Sequence, residues 1–306
     1  MADTGGYPPG AAFIDGAFVP MSEANISVLD WGFLRSDATY DVVHVWRNRF
    51  FRIDAHIDRF FDSMAGIRLE CGYSREQVRA VLAECVRKSG LEAAFVEMIC
   101  TRGMSPDFSR DPREAINRFI AFAVPFSWIL RPEDRERGIH LAVSSIHRIP
   151  QDSVNPRVKN YHWLDLVMGL FEAFDRGAAN VVLTDAAGHV VEGPGFNIFA
   201  VINGSANTPA SGVLHGITRR TAIELLAEAG IKTLARSLAV SELINADEVF
   251  ITSTAGGVIS VTRIDGRPVA DGSMGPVTRQ LTDLYWQAHE RPQWSLAIDD
   301  IPAPAL

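Results

Sequence analysis

Cysteine is scarce in this 306-residue sequence, which has only Cys71, Cys85 and Cys100. The count is odd and no two share a CxxC spacing, which argues against a disulfide framework and a structural zinc site and suits a reducing cytoplasm. Long hydrophobic runs are missing too. The longest uncharged apolar stretch, Phe119 to Leu130, spans 12 residues and contains Pro125, too short for a bilayer. Met1 to Phe13 has neither a basic head nor an apolar core, so no secretory leader is expected. Positive charge is in deficit, with 29 Lys and Arg against 37 Asp and Glu and a net charge of −8. Without a basic run, nucleic acid is not an expected partner. GxGxxG, a P-loop, HExxH and GxSxG are all absent, and the eight histidines lack ligand spacing. These absences leave a cytoplasmic globular enzyme without membrane or metal, and the 47% hydrophobic and 22% charged content fits one.

The pattern that is present mixes hairpins with helices. Asp15-Gly16 between Phe13-Ile14 and Ala17 to Val19 reads as a hairpin turn. Val42 to Trp46 and Phe50 to Ile53 flank a second turn at Arg47 to Arg49. Ser74 to Gln77 offers a capping box, and Val78, Val81, Leu82, Cys85 and Val86 follow on one helical face before Gly90. Val96 to Thr101 and Phe119 to Val124 read as strands joined by the polar loop 103–113. The charged, Pro-containing stretch 131–138 is the best candidate for a domain boundary, with a solvated helix end inside one domain as the alternative. Further strands are expected at 139–147, 181–191 around Gly188, 197–202, 248–254 and 258–269. Helices are expected over the stripe Leu164, Val167, Met168 and Phe171, and over 218–229. The order implies an α+β fold, with residues 1–126 as a small N-terminal domain, 127–138 as linker and 139–306 as a larger domain.

Four features carry possible chemistry. Lys159 lies among Val158, Tyr161 and Trp163, whose bulk would dehydrate it and lower its pKa from about 10.4, as a Schiff-base lysine requires. The same setting also suits a snorkelling surface lysine. Gly216 before a helix capped by Thr218 offers backbone N–H groups to an anion, or is a plain capped helix. Thr252 to Gly257 sets hydroxyls and glycines at a strand end, either a phosphate cradle or a turn. Glu192 leaves a strand for a glycine-lined stretch, where turn residues are common. Together, a dehydrated lysine, a lone acid and two anion cradles are the parts needed to hold pyridoxal phosphate.

Across residues 12–286 these segments resemble the class IV aminotransferases, the pyridoxal-phosphate fold type IV of branched-chain and D-amino acid transaminases. The R-selective amine transaminases are matched by Val158-Lys159-Asn160-x-x-Trp163-x-Asp165, Glu192-Gly193-x-Gly195-Phe196-Asn197, Gly216-Ile217-Thr218-Arg219 and Thr254-Ala255-Gly256-Gly257. The resemblance implies that Lys159 holds the internal aldimine and shuttles the proton, and that Glu192 pairs with the pyridinium nitrogen. It implies that Arg59, in His56-Ile57-Asp58-Arg59-Phe60, binds phosphate with Ile217, Thr218 and Thr254, while Leu214 packs on the ring. It further implies a homodimer, with the cofactor between the domains.

For substrate the resemblance points to Tyr40, Phe95, Glu97, Trp163 and Ala255. An acid at Glu97, where amino-acid enzymes have arginine, would repel a carboxylate. The implied reaction is ping-pong transfer from a primary (R)-amine to a keto acid such as pyruvate. Two departures stand out. Arg35 replaces the histidine usual before Ser36-Asp37, and Phe108 stands near the loop arginine that would recognise the keto acid, for which Arg110 or Arg113 is the substitute. Arg35 motivates the alternatives of a D-amino acid or branched-chain transaminase. A lyase of the aminodeoxychorismate type shares the fold, and a non-catalytic binding protein is the alternative outside enzymes.

Overall fold

Tight turns open the chain as the sequence expects. Asp15 and Gly16 take left-handed backbone (φ 51° and 78°) and fold β1 (Ala11–Ile14) onto β2 (Ala17–Pro20). A computed structural model describes residues 6–305; the first five residues, where part of the leader reading falls, and Leu306 lie outside it. The chain divides into two units, 1–127 with 158–161 and 289–306, and 128–157 with 162–288. This differs from a division into consecutive blocks at two places, since residues 158–161 and 289–306 both pack with the first unit. Backbone pairing is the reason: Ser295–Ala297 forms an antiparallel strand on Phe51 to Arg49, and Asn160 bridges Thr39.

The first unit is one antiparallel sheet covered by helices. Beside the opening hairpin it contains β3 (Ala38–Trp46), β4 (Arg49–Phe51), β5 (Ala94–Met104) and β6 (Ile116–Pro125). The order is C-terminal strand, β4, β3, β5, β6, β1, β2. The second hairpin turns at Arg47-Asn48, both left-handed, and its return strand stops at Phe51 because Ile53 already opens α2 (Ile53–Gly66). A short α1 (Trp31–Arg35) precedes β3. Helix α3 (Arg75–Ser89) has the expected capping box at Ser74 and Gln77 and ends on left-handed Gly90. Period-2 alternation sets the two faces of the sheet. Val43 and Val45 on β3 and Val96, Met98 and Cys100 on β5 are buried in the core with Ile57 and Phe60 of α2 and Val81 and Leu82 of α3. The residues between them, Tyr40 and Val42 on β3 and Phe95, Glu97 and Ile99 on β5, line up across the ladder on the other face.

The second unit holds a mixed sheet. Its strands are β7 (Ile139–His147), β8 (Asn180–Thr184), β9 (Glu192–Gly193), β10 (Phe196–Ile202), β11 (Ser205–Pro209), β12 (Thr233–Arg236), β13 (Glu248–Ser253), β14 (Gly257–Ile264) and β15 (Arg267–Pro268). The main order is β12, β11, β10, β13, β14, β7, β8, with β7 parallel to both neighbours. The hairpin expected around Gly188 returns only as a Thr184–Val190 bridge followed by the two-residue β9. Helices α4 (Leu164–Asp175), α5 (Ile217–Glu228), α6 (Val240–Ile244) and α7 (Pro276–Gln287) complete the unit. The apolar stripe of α4 faces outward: Leu164, Met168, Phe171 and Phe174 are exposed, while Leu166, Gly169 and Ala173 face the sheet. Helix α5 starts one residue before the expected cap. Gly216 is its N-cap, no side chain caps it, and Thr218 lies buried inside the first turn.

Among the described residues no helix is long and apolar enough to cross a membrane, and no cluster of His, Cys, Asp and Glu is placed to hold a metal ion.

Candidate functional site

The first unit gathers its candidate residues around Lys159. The lysine lies on the short segment that pairs with the start of β3: its carbonyl accepts from the Tyr40 N–H (3.1 Å) and the Thr39 hydroxyl (2.6 Å), and its own N–H donates to Ser63 Oγ on α2 (3.2 Å). Lys159 Nζ lies 4.2 Å from the centroid of the Tyr40 ring. Tyr40 stacks on Tyr161 at 4.3 Å, and the Tyr161 hydroxyl donates to Glu97 Oε1 at 2.7 Å. Lysine, two aromatic rings and a carboxylate thus form one continuous contact. Burial pushes the Glu97 carboxyl up to about 6, against the opposing pull of the Tyr161 hydrogen bond and the Lys159 charge. Burial, with Glu97 next, raises the Tyr161 phenol far above its ordinary value.

Arg59 is fixed from beneath the same strand. Residues 56 and 59 share a face of α2, and that face meets Asp41 of β3. Arg59 donates from Nε to Asp41 Oδ2 (2.7 Å) and from Nη2 to Oδ1 (2.8 Å), while His56 Nδ1 lies 2.8 Å from Oδ1. Burial alone would raise the fully buried Asp41 carboxyl, but the Arg59 charge and the hydrogen bonds hold it well below the carboxylate range. Asp41 was not among the residues expected to matter. The signal was available, since an acid at an inward position of an apolar strand needs a partner.

The remaining candidates of this unit have contacts of their own. Arg35, at the end of α1, places its guanidinium 3.5 Å above the Trp31 ring. Arg110 is exposed, and Arg113 is paired with Asp111. Phe95 is half-buried, two residues from Glu97 on the same sheet face. Arg102, in Thr101-Arg102-Gly103, forks onto Asp37 (2.9 and 3.0 Å) and donates to the Ile67 and Arg68 carbonyls.

The second unit builds its site around Glu192, on β9 beside β10. Oε2 accepts the Leu214 N–H at 2.9 Å, and Oε1 accepts Arg148 Nε at 3.3 Å. Arg148 also donates from Nη1 to Asp165 Oδ2 at 2.8 Å, so one half-buried guanidinium bridges the buried Glu192 and the half-buried Asp165 carboxylates. Burial opposes the Arg148 charge, but Glu192 and Asp165 outweigh it and raise its pKa. Arg148 was missed because its role appears only when strand ends 139–147 and 192–193 meet. Asn197 Nδ2 donates to the Leu214 carbonyl (2.9 Å), setting the loop before α5. A Cβ on Gly216 would strike Asn197 Oδ1, which explains glycine there and leaves the first-turn N–H groups of Ile217 and Thr218 without a side-chain cap. At the end of β13, Ser253 Oγ donates to the Gly195 carbonyl and accepts the Ala255 N–H. Gly257 is left-handed (φ 75°) against the Tyr285 ring, which shapes the turn holding Thr254 and Ala255. Trp163 lies against Gly195.

Each unit by itself carries groups suited to pyridoxal phosphate. In the second, an uncapped N-terminus of a 12-residue helix suits a phosphate and a carboxylate held by an N–H and an arginine suits a ring nitrogen; in the first, a lysine on an aromatic face suits an aldehyde.

The comparisons with known proteins agree. A model of the amino-transferase class IV family matches residues 38–264. A putative branched-chain-amino-acid aminotransferase of Methanocaldococcus jannaschii is 33% identical over 291 residues, 94% of this chain and 99% of that protein. A D-alanine aminotransferase of Staphylococcus haemolyticus is 31% identical over 278 residues, 89% of this chain and 95% of its own. Among solved structures, a T.th. branched-chain amino acid aminotransferase with pyridoxamine 5'-phosphate aligns with a TM-score of 0.89 at 28% identity, covering 95% of this chain and 99% of that one.

Proposed function

The chain belongs to the amino-transferase class IV family, and from that premise we propose that it moves an amino group from a primary (R)-amine to a keto acid such as pyruvate. Its cofactor is pyridoxal phosphate, which when bound supplies an aldehyde for the amino group and a ring that draws electrons from the carbon losing its proton. Lys159 Nζ would hold the aldehyde and, once the donor amine displaces it, would carry the proton from the donor carbon to the carbon that bore the aldehyde, with the reverse movement in the second half-reaction. Glu192 keeps a proton at the ring nitrogen, and Arg148 with the Leu214 N–H holds that carboxylate in place. Arg59, Ile217, Thr218 and Thr254 would hold the phosphate, and Leu214 would lie against the ring. The donor leaves as a ketone before the keto acid enters.

The donor class rests on Glu97. A carboxylate joined through Tyr161 and Tyr40 to the face on which Lys159 lies repels a donor carboxylate. Arg102, on the same strand, is already matched to Asp37. Initial rates with (R)-1-phenylethylamine, D-alanine, D-glutamate and L-leucine test the assignment: the amine is expected to be the best donor. Turnover of an amino acid but not of the amine would overturn it. Lys159→Ala should lose turnover and borohydride trapping together.

A second reading, a D-amino acid or branched-chain aminotransferase, is favoured by the 33% and 31% identities to relatives with those names. The exposed Arg110 is a cation available for a carboxylate. We further propose a homodimer, supported by the outward apolar face of α4, where Leu164 is 74% and Phe171 58% exposed.

A further inference from the structure

We propose that Glu97 and Tyr161 form a receptor for a second, cationic group on the amino donor, so that donors with an ammonium tail are preferred over apolar donors of the same length. The inference rests on the assignment of Lys159 as the reacting amine.

Glu97 interrupts an apolar ladder. It stands between Phe95 and Ile99 along β5 and is opposed by Val42 on β3 and Phe122 on β6. It is half-buried, and among the described residues no Lys, Arg or His side chain forms an ion pair with it. Its hydrogen-bond partner is the neutral phenol of Tyr161 on Oε1. The Lys159 charge acts on Glu97 from beyond ion-pair distance; a carboxylate taken from water with no cation in direct contact is unfavourable for folding, and such groups mark sites completed by a ligand. The ligand chemistry follows from the surroundings. A carboxylate fixed by the Tyr161 hydroxyl, with its other oxygen still able to accept, attracts an ammonium by charge and by a charge-assisted hydrogen bond. Lys159 Nζ touches the Tyr40 ring, Tyr40 stacks on Tyr161 and Tyr161 bonds Glu97, so the carboxylate belongs to the same contact chain as the reacting amine and is available to the tail of a donor held there.

The test uses the holoenzyme and isosteric donors: 1,5-diaminopentane, 5-aminopentan-1-ol and n-hexylamine, with ornithine against norleucine in both configurations. The ammonium-tailed donor should have the higher kcat/KM by roughly ten- to a hundredfold, the range of a charge-assisted hydrogen bond. Glu97→Gln keeps an acceptor for Tyr161 but removes the charge, and should bring that ratio close to one. The preference should hold above about pH 6 and fade below it, as Glu97 takes up a proton. Tyr161→Phe keeps the stack, removes the bond that favours the carboxylate, and should move this fading to higher pH. Without turnover, 1,5-diaminopentane should shift the carbon-13 resonance of the Glu97 carboxyl, assigned by its loss in Glu97→Gln, and n-hexylamine should not.

Equal rates for the tailed and untailed donors, an alcohol as good as the diamine, or a preference that survives Glu97→Gln would overturn the inference. Turnover of ornithine and norleucine without any amine would overturn the amine-donor assignment instead, and the tail comparison would still be read from that pair.

Discussion

Replacing Asp41 by Asn should strike stability and cofactor retention at once. The carboxylate is fully buried and accepts three side-chain bonds, two from Arg59 and one from His56, as well as the Val42 N–H at 2.8 Å. The Arg59 side chain is only 12% exposed, so the pair is little screened by solvent. Asparagine has nearly the same shape, but it removes the charge and turns one acceptor into a donor facing guanidinium N–H groups. Breaking a buried pair from one side costs about 3–5 kcal/mol, because the remaining charge loses its closest counter-charge while staying out of water. At about 2–4 °C per kcal/mol for a unit of this size, melting should fall by roughly 6–20 °C in differential scanning calorimetry. Adding Arg59→Met removes the stranded charge, so the double variant should be more stable than the sum of the single effects. The pH dependence has a definite sign. A carboxyl held below its unfolded value of about 3.9 stabilises the fold above that pH, and the contribution fades as pH falls further, so the two proteins should converge in acid. A drop of less than about 2 °C, or strictly additive single variants, would refute the assignment of Asp41 as the anchor of Arg59.

Glu192→Gln keeps the Leu214 bond but loses the charge shared with Arg148, so kcat should fall at least about a hundredfold while cofactor absorbance persists; normal kcat would remove Glu192 from the chemistry. His44 and His289 meet at 2.7 Å between their Nε2 atoms, with Phe51 stacked on His289. Burial, with His289 and His56 nearby, holds His44 well below its ordinary pKa. Unfolded histidine takes a proton that the buried ring refuses, so stability should drop as pH falls below about 6.5, read as lower urea midpoints; a flat profile would contradict the geometry. Phe171→Glu on the outward face of α4 should lower the sedimentation coefficient if that face is a subunit contact. Arg35→His should shift donor preference toward amines, and an unmoved preference would make the Arg35–Trp31 contact structural only.

Much of the proposed site is legible in the sequence because its chemistry is local. Lys159, Glu192 and the Gly216-Ile217-Thr218 turn are each singled out by a few neighbouring residues, and the structure leaves the helix start uncapped, although the cap falls on Gly216 and not Thr218. Arg59 was named from its motif, but its anchor was not, because Asp41 reaches it only through β3 lying on α2. Tyr161 was read as bulk near Lys159; its bond to Glu97, 64 positions away, is invisible to any local pattern.

What the sequence determines by itself is what periodicity and turn chemistry dictate over short stretches. The Asp15-Gly16 hairpin, the Ser74 capping box and the alternation of β3 and β5 are of this kind, since steric limits on φ and ψ act between neighbours. Periodicity also drew α4, yet could not say which way its stripe would face. Long-range pairing decided the rest. Residues 158–161 and 289–306 join the first unit through strand contacts, and Arg148, Asp165 and Glu192 become one ion network only where three separate segments converge. Burial then sets the electrostatics: Glu97 and Asp41 are both acids in strands of the same sheet, but one is pushed up by desolvation while the other is held down by an arginine.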